Sequence, residues 1–171
     1  MSAIVVRRAT VDDAERIAAL VDAAFAEYRG KLQPESGALA ETTDSIARQL
    51  VAPAGGAVAW RMAGAGAIGE VVGAVLFKPQ DANLYFGRLS VPPAARGLGV
   101  AGALIRFVED EARRRGCAGV ALGVRVTLPD NQRLFARHGY VEVSRSAHDG
   151  YAYPTSIEMR KQLAVGLDRL G

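Results

Sequence analysis

The sequence contains a single cysteine, Cys117, among its 171 residues, so no disulfide can form within the chain. A small secreted domain held together by several disulfides is therefore excluded. Cys117 lies in the stretch GCAGVALGV, which favours a small buried core position over a reactive nucleophile. Aromatic residues make up only 6% of the chain, which argues against an aromatic-lined cavity.

Long apolar runs and a strong charge of either sign are also missing. No stretch approaches the ~18 apolar residues of a membrane helix. The apolar run at the N-terminus is too short for a signal peptide, so we predict a cytoplasmic protein without membrane association. The formal net charge of +3 is too small and too dispersed to predict a nucleic-acid partner, although it would favour an anionic ligand.

The order of predicted elements is that of one α+β domain with a mixed sheet. Seven stretches are typical of strands: AIVVRR, GGAVAW, GEVVGAVLFKP, NLYFGRLSV, AGVALGVRVTL, YVEVSRSA and TSIEMRKQL. The first helix runs from a capping box at Thr10 and Asp13 to about Tyr28, and a second is predicted over ALAETTDSIARQLV. The other two helices cover Gly99 to about Arg115 and about Asn131 to Arg137.

The third predicted helix ends in a block of alternating charge. Each acidic residue of 109–111 stands four positions before an arginine of 113–115. This orientation is the favourable one for ion pairs on a helix surface. We therefore predict a solvated helix end here, in preference to a patch that binds nucleic acid.

The stretch RGLGVAG contains the spacing G-x-G-x-x-G at Gly97, Gly99 and Gly102. This spacing is the fingerprint of dinucleotide-binding folds, but only in the right context. Five residues separate the strand end at Val91 from Gly97, and the next strand offers Arg125 where an acid would bind the ribose. A dinucleotide enzyme that binds NAD or FAD is therefore disfavoured and stays as an alternative.

The same glycines precede a helix and can form an anion site. Glycine lets the backbone approach a ligand closely, and the first N–H groups of a helix have no acceptor within it. Together with the helix dipole, these donors favour a phosphate, to which Arg96 would add a charged fork. A tight strand-to-helix turn with an incidental arginine is the alternative, and both interpretations have equal weight at this point.

Three stretches resemble the GNAT superfamily of acyl-CoA-dependent N-acyltransferases. LSVPPAARGLGVAGALI is similar to the pyrophosphate-binding motif Arg/Gln-x-x-Gly-x-Gly/Ala, with Arg96, Gly99 and Ala101 at its defining positions. NQRLFARHGYVEV and VVRRATVDDAERIAALVDAAF look like the later signature and the first strand and helix of that family. The resemblance covers roughly residues 4–163, which leaves 164–171 as a C-terminal tail. It implies a single-domain fold with a mixed, mostly antiparallel seven-stranded sheet, about four flanking helices and a splay between the fourth and fifth strands.

The resemblance also implies a site for acetyl-CoA. Backbone groups of Leu89 and Val91 would pair with the pantetheine arm like an added strand. Asn131 would bond the pantetheine, with a helix N-cap as its alternative role, and Phe135 would pack near the thiol. The pyrophosphate would lie on the N–H groups of five residues of the loop and first turn: Arg96, Gly97, Gly99, Val100 and Ala101.

By the same resemblance, an amine attacks the thioester directly and the Val91 N–H polarises the carbonyl oxygen. The sequence departs from the commonest family pattern at two positions. Tyr85 stands where a glutamate often serves as base, and Phe135 where a tyrosine often protonates the leaving thiolate. As substitutes we predict Tyr151 as the acid and His148 as the base, with a turn position as the alternative role of His148.

Other side chains are weaker candidates for the acceptor side of the site. Tyr153 shares the last hairpin with Tyr151, and Glu27, Tyr28 and Glu70 could face the acceptor cleft. The stretch RGKLQPESGALAET between the first two helices would form one wall of that cleft by resemblance. Its mixed charges do not identify the acceptor.

These observations predict an acetyl-CoA-dependent N-acetyltransferase, a transferase that acts on the amine of a small molecule or peptide. An acyl-CoA-binding regulatory domain with little or no catalysis is the alternative, and the missing glutamate and tyrosine are its support. We predict no metal site and no nucleic-acid or membrane partner. A homodimer is compatible with the prediction.

Overall fold

The computed structural model describes residues 3–164, which form seven strands and four α-helices. The strands are β1 Ile4–Arg8, β2 Gly55–Arg61, β3 Glu70–Gln80, β4 Asn83–Ser90, β5 Gly119–Arg125, β6 Val141–Ser146 and β7 Ser156–Gln162. The helices are α1 Ala14–Phe25, α2 Thr43–Gln49, α3 Val100–Arg114 and α4 Pro129–Arg137. The predicted order of elements is confirmed. The predicted tail beyond residue 164 lies outside the described residues.

The strands form one mixed sheet in the order β1-β2-β3-β4-β5-β7-β6. The pairs β1–β2, β2–β3, β5–β7 and β6–β7 are antiparallel, whereas β4 and β5 run parallel. The parallel register joins Asn83–Phe86 to Gly119–Leu122, while β4 continues to Ser90 and β5 to Arg125. The α+β fold class with a mixed, mostly antiparallel seven-stranded sheet is therefore confirmed.

The chain divides into two compact units. The N-terminal unit comprises the chain up to Lys78 together with Gly87–Phe107, and the C-terminal unit comprises Pro79–Phe86 together with the chain from Val108. In the N-terminal unit, α1 packs on α2 and on β2 and β3. The apolar stripe of α1 predicted by its period is buried, and it joins a core that includes Ile17, Val21, Ile46, Val58 and Leu76.

Asp13 organises the start of α1. It accepts a hydrogen bond from the Thr10 N–H at 2.8 Å, which confirms the predicted capping box. Its carboxylate also takes two bonds of 2.8 Å from Arg7 and one of 2.6 Å from Arg16. The hydrogen bonds from Arg7 outweigh burial and hold the pKa of Asp13 well below its usual range. Both guanidinium groups also lie over the Trp60 ring, at 5.7 and 5.2 Å from its centroid.

The second predicted helix is shorter than the sequence suggested. A 3-10 helix covers Gly37–Ala40, and α2 begins only at Thr43. Thr42 between them is extended and forms a capping box with Ser45, whose N–H donates to Thr42 Oγ1 at 3.1 Å. Prediction of one continuous helix was wrong because the threonine side chain satisfies the first-turn N–H groups and starts a new helix there.

The charged end of α3 is only partly solvated, which corrects another prediction. Glu109 and Glu111 are 5% and 4% exposed. Glu109 accepts hydrogen bonds from the Tyr140 hydroxyl at 3.1 Å and from Lys161 Nζ at 3.0 Å, both within the C-terminal unit. Burial and the neighbouring Glu109 carboxylate raise the pKa of Tyr140 well above its usual range. Cys117, expected in the core, is half-buried.

Candidate functional site

The loop between β4 and α3 has the backbone shape that its glycines predict. Gly97 and Gly99 have φ values of +79° and +81°, in the left-handed region that favours glycine. A Cβ added at either position would meet no atom within 4 Å. The glycines are therefore required by the backbone conformation, and the space beside them is open to a ligand.

The N–H groups at the start of α3 form a cluster of free donors. The Ala103 N–H is the first to bond back into the helix, to the Gly99 carbonyl at 3.1 Å. Within residues 3–164, no backbone carbonyl accepts a hydrogen bond from the N–H groups of Gly97, Gly99, Val100 or Ala101. The Arg96 N–H differs, because it donates to the Pro93 carbonyl at 3.3 Å. Four of the five predicted donors are therefore available to an anion.

The Arg96 side chain joins the loop to two other elements of the N-terminal unit. Its Nε donates to the Val91 carbonyl at 3.1 Å, and its Nη2 pairs with Glu27 Oε1 at 2.5 Å. Nη2 also approaches the Ala24 carbonyl at the end of α1, at 3.5 Å. The guanidinium predicted to bind phosphate is thus held by a carboxylate in this structure, and it fixes the position of the loop.

Near its end, β4 contains a residue with a left-handed backbone, which the sequence did not reveal. Arg88 has φ +52°, although it lies within a strand. Its Nε binds Glu41 Oε1 at 3.0 Å, and the following residues, Leu89 and Val91, are half-buried. Polar Arg88 between apolar neighbours is the only trace of this feature in the sequence.

Asn131 and Phe135 lie on α4 in the C-terminal unit. The helix begins at Pro129 with Leu128 as its N-cap, so Asn131 is the third helical residue and the N-cap role proposed for it is wrong. Proline at the first position is favoured because the missing N–H would have no acceptor there. Phe135 is 8% exposed, and its ring packs edge-on at 6.0 Å from Phe86. The position where the family often has a tyrosine acid is thus part of the core.

Tyr85 stands where the family often has its base. Its hydroxyl lies over β5, since a Cβ added at Gly123 would come within 2.9 Å of the Tyr85 hydroxyl oxygen. That distance is too short for a real contact, so glycine at 123 makes room for the tyrosine.

The last hairpin brings the predicted acid and base candidates together. The Tyr151 N–H donates to the His148 carbonyl at 3.1 Å, and the ring of Tyr151 packs edge-on against Tyr153 at 5.8 Å. Buried Thr155 holds His148 through its Oγ1, at 2.9 Å from the His148 N–H and 2.5 Å from Nδ1. Tyr151 is half-buried and Tyr153 is 60% exposed. Both catalytic roles in this hairpin stay predictions.

Residues 3–164 contain neither a membrane-spanning helix nor a cluster of side chains that could bind a metal ion. None of the helices has the length and apolar character needed to cross a membrane. No three or more side chains of His, Cys, Asp or Glu in this part of the chain lie close enough together to hold a metal ion.

A family model described as acetyltransferase (GNAT) family matches residues 17–140, which include the glycine loop, α4 and most of the sheet. The chain therefore belongs to the GNAT acetyltransferase family, as the sequence resemblance predicted. A segment of 60 residues is 40% identical to acetyltransferase Atu2258 of Agrobacterium fabrum. This match covers 35% of the chain and 42% of that relative, so the chain spans less than half the length of the curated relative it matches.

Solved structures of the family share the fold at low sequence identity. The PaiA N-acetyltransferase of Thermoplasma acidophilum, in complex with coenzyme A, has a TM-score of 0.73 at 14% identity over 94% of this chain and 99% of that one. YncA of Salmonella typhimurium, with its cofactor acetyl-CoA, has 0.71 at 18% over 96% of each chain. Ard1 of Thermoplasma volcanium has 0.74 at 18% over 95% and 99%.

Proposed function

We propose that this protein is an N-acetyltransferase that moves an acetyl group from acetyl-CoA to the amine of a small molecule or peptide. The observation that carries the proposal is the set of four N–H groups without a backbone acceptor, two on the left-handed glycines of the loop and two in the first turn of α3. Family membership and the fold shared with proteins solved with coenzyme A or acetyl-CoA support it further.

The loop fits a pyrophosphate by its chemistry. Successive backbone N–H groups at a helix N-terminus attract an anion, because each donor needs an acceptor and the helix dipole is positive there. Gly97 and Gly99 leave the space in front of these donors open. Arg96 would add its charge to the same anion if it left Glu27.

The end of β4 would hold the acetyl-bearing arm. Leu89 and Val91 lie beyond the register shared with β5, which ends at Phe86. The Val91 carbonyl already accepts from Arg96, so its N–H is the group left to polarise the thioester carbonyl. A fixed N–H aimed at the oxygen stabilises the negative charge that develops during attack.

The acceptor amine must be neutral when it attacks the thioester. A free lysine side chain with a pKa of about 10.4 is only ~0.04% neutral at pH 7, whereas an α-amine near 7.8 is about 10–20% neutral. A base is therefore far more important for a lysine-type acceptor. We assign His148 as the base and Tyr151 as the acid that protonates the thiolate; both residues lie in the turn of the last hairpin.

The test is a measurement of binding and turnover on the same protein. Calorimetry with acetyl-CoA, and thiol release with a primary alkylamine, an α-amino acid amide and a dipeptide, should give saturable binding and acceptor-dependent thiol. Binding without turnover on any amine would favour the regulatory domain instead. Binding of NAD or FAD without binding of acetyl-CoA would contradict the site itself.

A further inference from the structure

Arg88 has an unusual backbone for its place in the fold. Of the non-glycine residues with positive φ among residues 3–164, Ala65 and Asp81 lie outside the strands, and Arg88 lies inside β4. A left-handed conformation is strained for any residue with a Cβ, and such strain persists only where neighbouring groups hold it. Strain of this kind is concentrated at functional sites.

The first group that holds Arg88 is the carboxylate of Glu41, which is 9% exposed. One carboxylate oxygen accepts from Arg88 Nε at 3.0 Å. The other accepts from Ser45 Oγ at 2.5 Å and from Gln49 Nε2 at 2.9 Å, so α2 fixes the carboxylate in turn. Burial raises the pKa of Glu41, but the hydrogen bonds from Ser45 and Arg88 more than offset it and keep the pKa below its usual range.

Two further contacts hold the same residue. The Arg88 carbonyl accepts from Ser90 Oγ at 2.9 Å, and Ser90 is fully buried. At the tip of the side chain, a Cβ added at Gly37 would lie 3.0 Å from Arg88 Nη2. The Arg88 carbonyl is thus tied to the end of β4, and its guanidinium is tied to the segment before α2.

We propose that Arg88 and Glu41 are positioning residues for acetyl transfer, because their ion pair holds the left-handed backbone at Arg88, which orients the N–H groups of Leu89 and Val91. The inference rests on the proposed function, in which these groups contact the acetyl-bearing arm. Glu41 also belongs to RGKLQPESGALAET, the expected wall of the acceptor site. One ion pair therefore fixes the thioester contacts and the acceptor segment together.

The expected effect is on rate, with little effect on cofactor binding. The glycine loop that would bind the pyrophosphate does not contact Arg88 or Glu41 in the hydrogen bonds described above. A displacement of about 1 Å at the reacting groups can lower a rate by ~10²-fold. Loss of the pair should therefore lower kcat more than it weakens binding of acetyl-CoA, because the loop that would hold the pyrophosphate keeps its own contacts.

The experiment compares Glu41→Gln, Arg88→Lys and Arg88→Gly with the wild type, using Asp110→Asn as a control in an exposed ion pair. Thiol release is measured with each of the three amines of the previous test. It is also measured without an amine, where it reports the slow hydrolysis of acetyl-CoA. We expect kcat to fall by about 10- to 100-fold in the three variants. The calorimetric Kd for acetyl-CoA should change less than kcat does, and kcat is measured well below the Tm of each variant, because loss of one partner of a nearly buried ion pair lowers stability.

Chemical rescue separates positioning from general stability. Glycine at position 88 adopts φ +52° without strain and leaves a space beside the Glu41 carboxylate. Added guanidinium ion, at concentrations well below those that denature, should restore part of the kcat of Arg88→Gly. It should restore none in the double variant Arg88→Gly with Glu41→Leu, which lacks the anion that binds it.

The outcomes distinguish this inference from the function on which it rests. A wild type that releases thiol, with variants of equal kcat or with no rescue by guanidinium, would overturn the positioning role alone. A wild type that binds acetyl-CoA and releases no thiol would overturn the enzyme proposal and this inference with it. A wild type that does not bind acetyl-CoA would remove the proposed site.

Discussion

Replacement of Gly99 with alanine is the most direct perturbation of the glycine loop. Gly99 has φ +81°, and a Cβ there would meet no atom within 4 Å. The new methyl group therefore adds no clash, and the cost comes from the left-handed backbone alone, about 1–2 kcal/mol for a residue with a Cβ. The variant must either keep the loop and lose this stability, or relax and turn its N–H groups away from the anion.

Relaxation of the loop converts the same free energy into lost affinity. Because about 1.4 kcal/mol is tenfold in a binding constant, the Kd for coenzyme A should rise by about 5- to 30-fold in a relaxed Gly99→Ala variant. If the loop holds, the free energy of unfolding should fall by about 1–2 kcal/mol instead. The strain of one residue is divided between the two effects. The loss of unfolding free energy and the loss of binding free energy, both relative to the wild type, should therefore sum to about 1–2 kcal/mol.

Urea denaturation and calorimetric titration with coenzyme A measure the two effects on one preparation. Gly64→Ala is the matched control, since its Cβ would also be in open space and its φ lies outside the left-handed range. We expect that control to stay within about 0.5 kcal/mol of the wild type. A Gly99→Ala variant with wild-type stability and wild-type affinity would refute the argument that this backbone cradles a phosphate.

Three further predictions follow from ion pairs. Glu27→Gln should release Arg96 and tighten binding of coenzyme A, with a change in stability below about 1 kcal/mol because the pair is half-exposed; unchanged or weaker binding in calorimetry would contradict this role. The pKa of Asp13 is lowered in the folded state, so its contribution to stability is present above the unfolded pKa near 3.9 and is lost as pH falls through the folded value. Unfolding experiments at neutral and acidic pH should therefore show a smaller loss on acidification for Asp13→Asn than for the wild type, and equal losses would count against it. Lys161→Met should leave the buried Glu109 carboxylate short of a partner and cost about 2–3 kcal/mol in denaturation, with recovery in the double variant that also carries Glu109→Gln.

Patterns that repeat along the chain were sufficient to predict the strands, the helices and the glycine loop before α3. Alternation and helical spacing predicted all seven strands and all four helices, because each depends on neighbours a few residues apart. The spacing of Gly97 and Gly99 before a helix likewise predicted an exposed backbone with free N–H groups. Local chemistry was also enough for the capping box of Thr10 and Asp13.

Contacts between residues far apart in the sequence could not be predicted in this way. Glu109 stands four positions before an arginine, and that spacing suits a surface ion pair whichever way the carboxylate faces. Its actual partners, Tyr140 and Lys161, lie 31 and 52 residues away. The same holds for Arg88 and Glu41, which are 47 residues apart and depend on a φ value that no pattern encodes.

Trp60, with the guanidinium groups of Arg7 and Arg16 over its ring, gives the N-terminal unit its own fluorescence signal. Trp60 is the only tryptophan in the sequence, and both arginines that flank its ring are held by Asp13. Indole fluorescence therefore reports on the packing of α1 against β2, whereas circular dichroism reports on helices and strands throughout the chain. Comparison of the two unfolding curves would reveal whether the two compact units melt as one cooperative body or in separate steps.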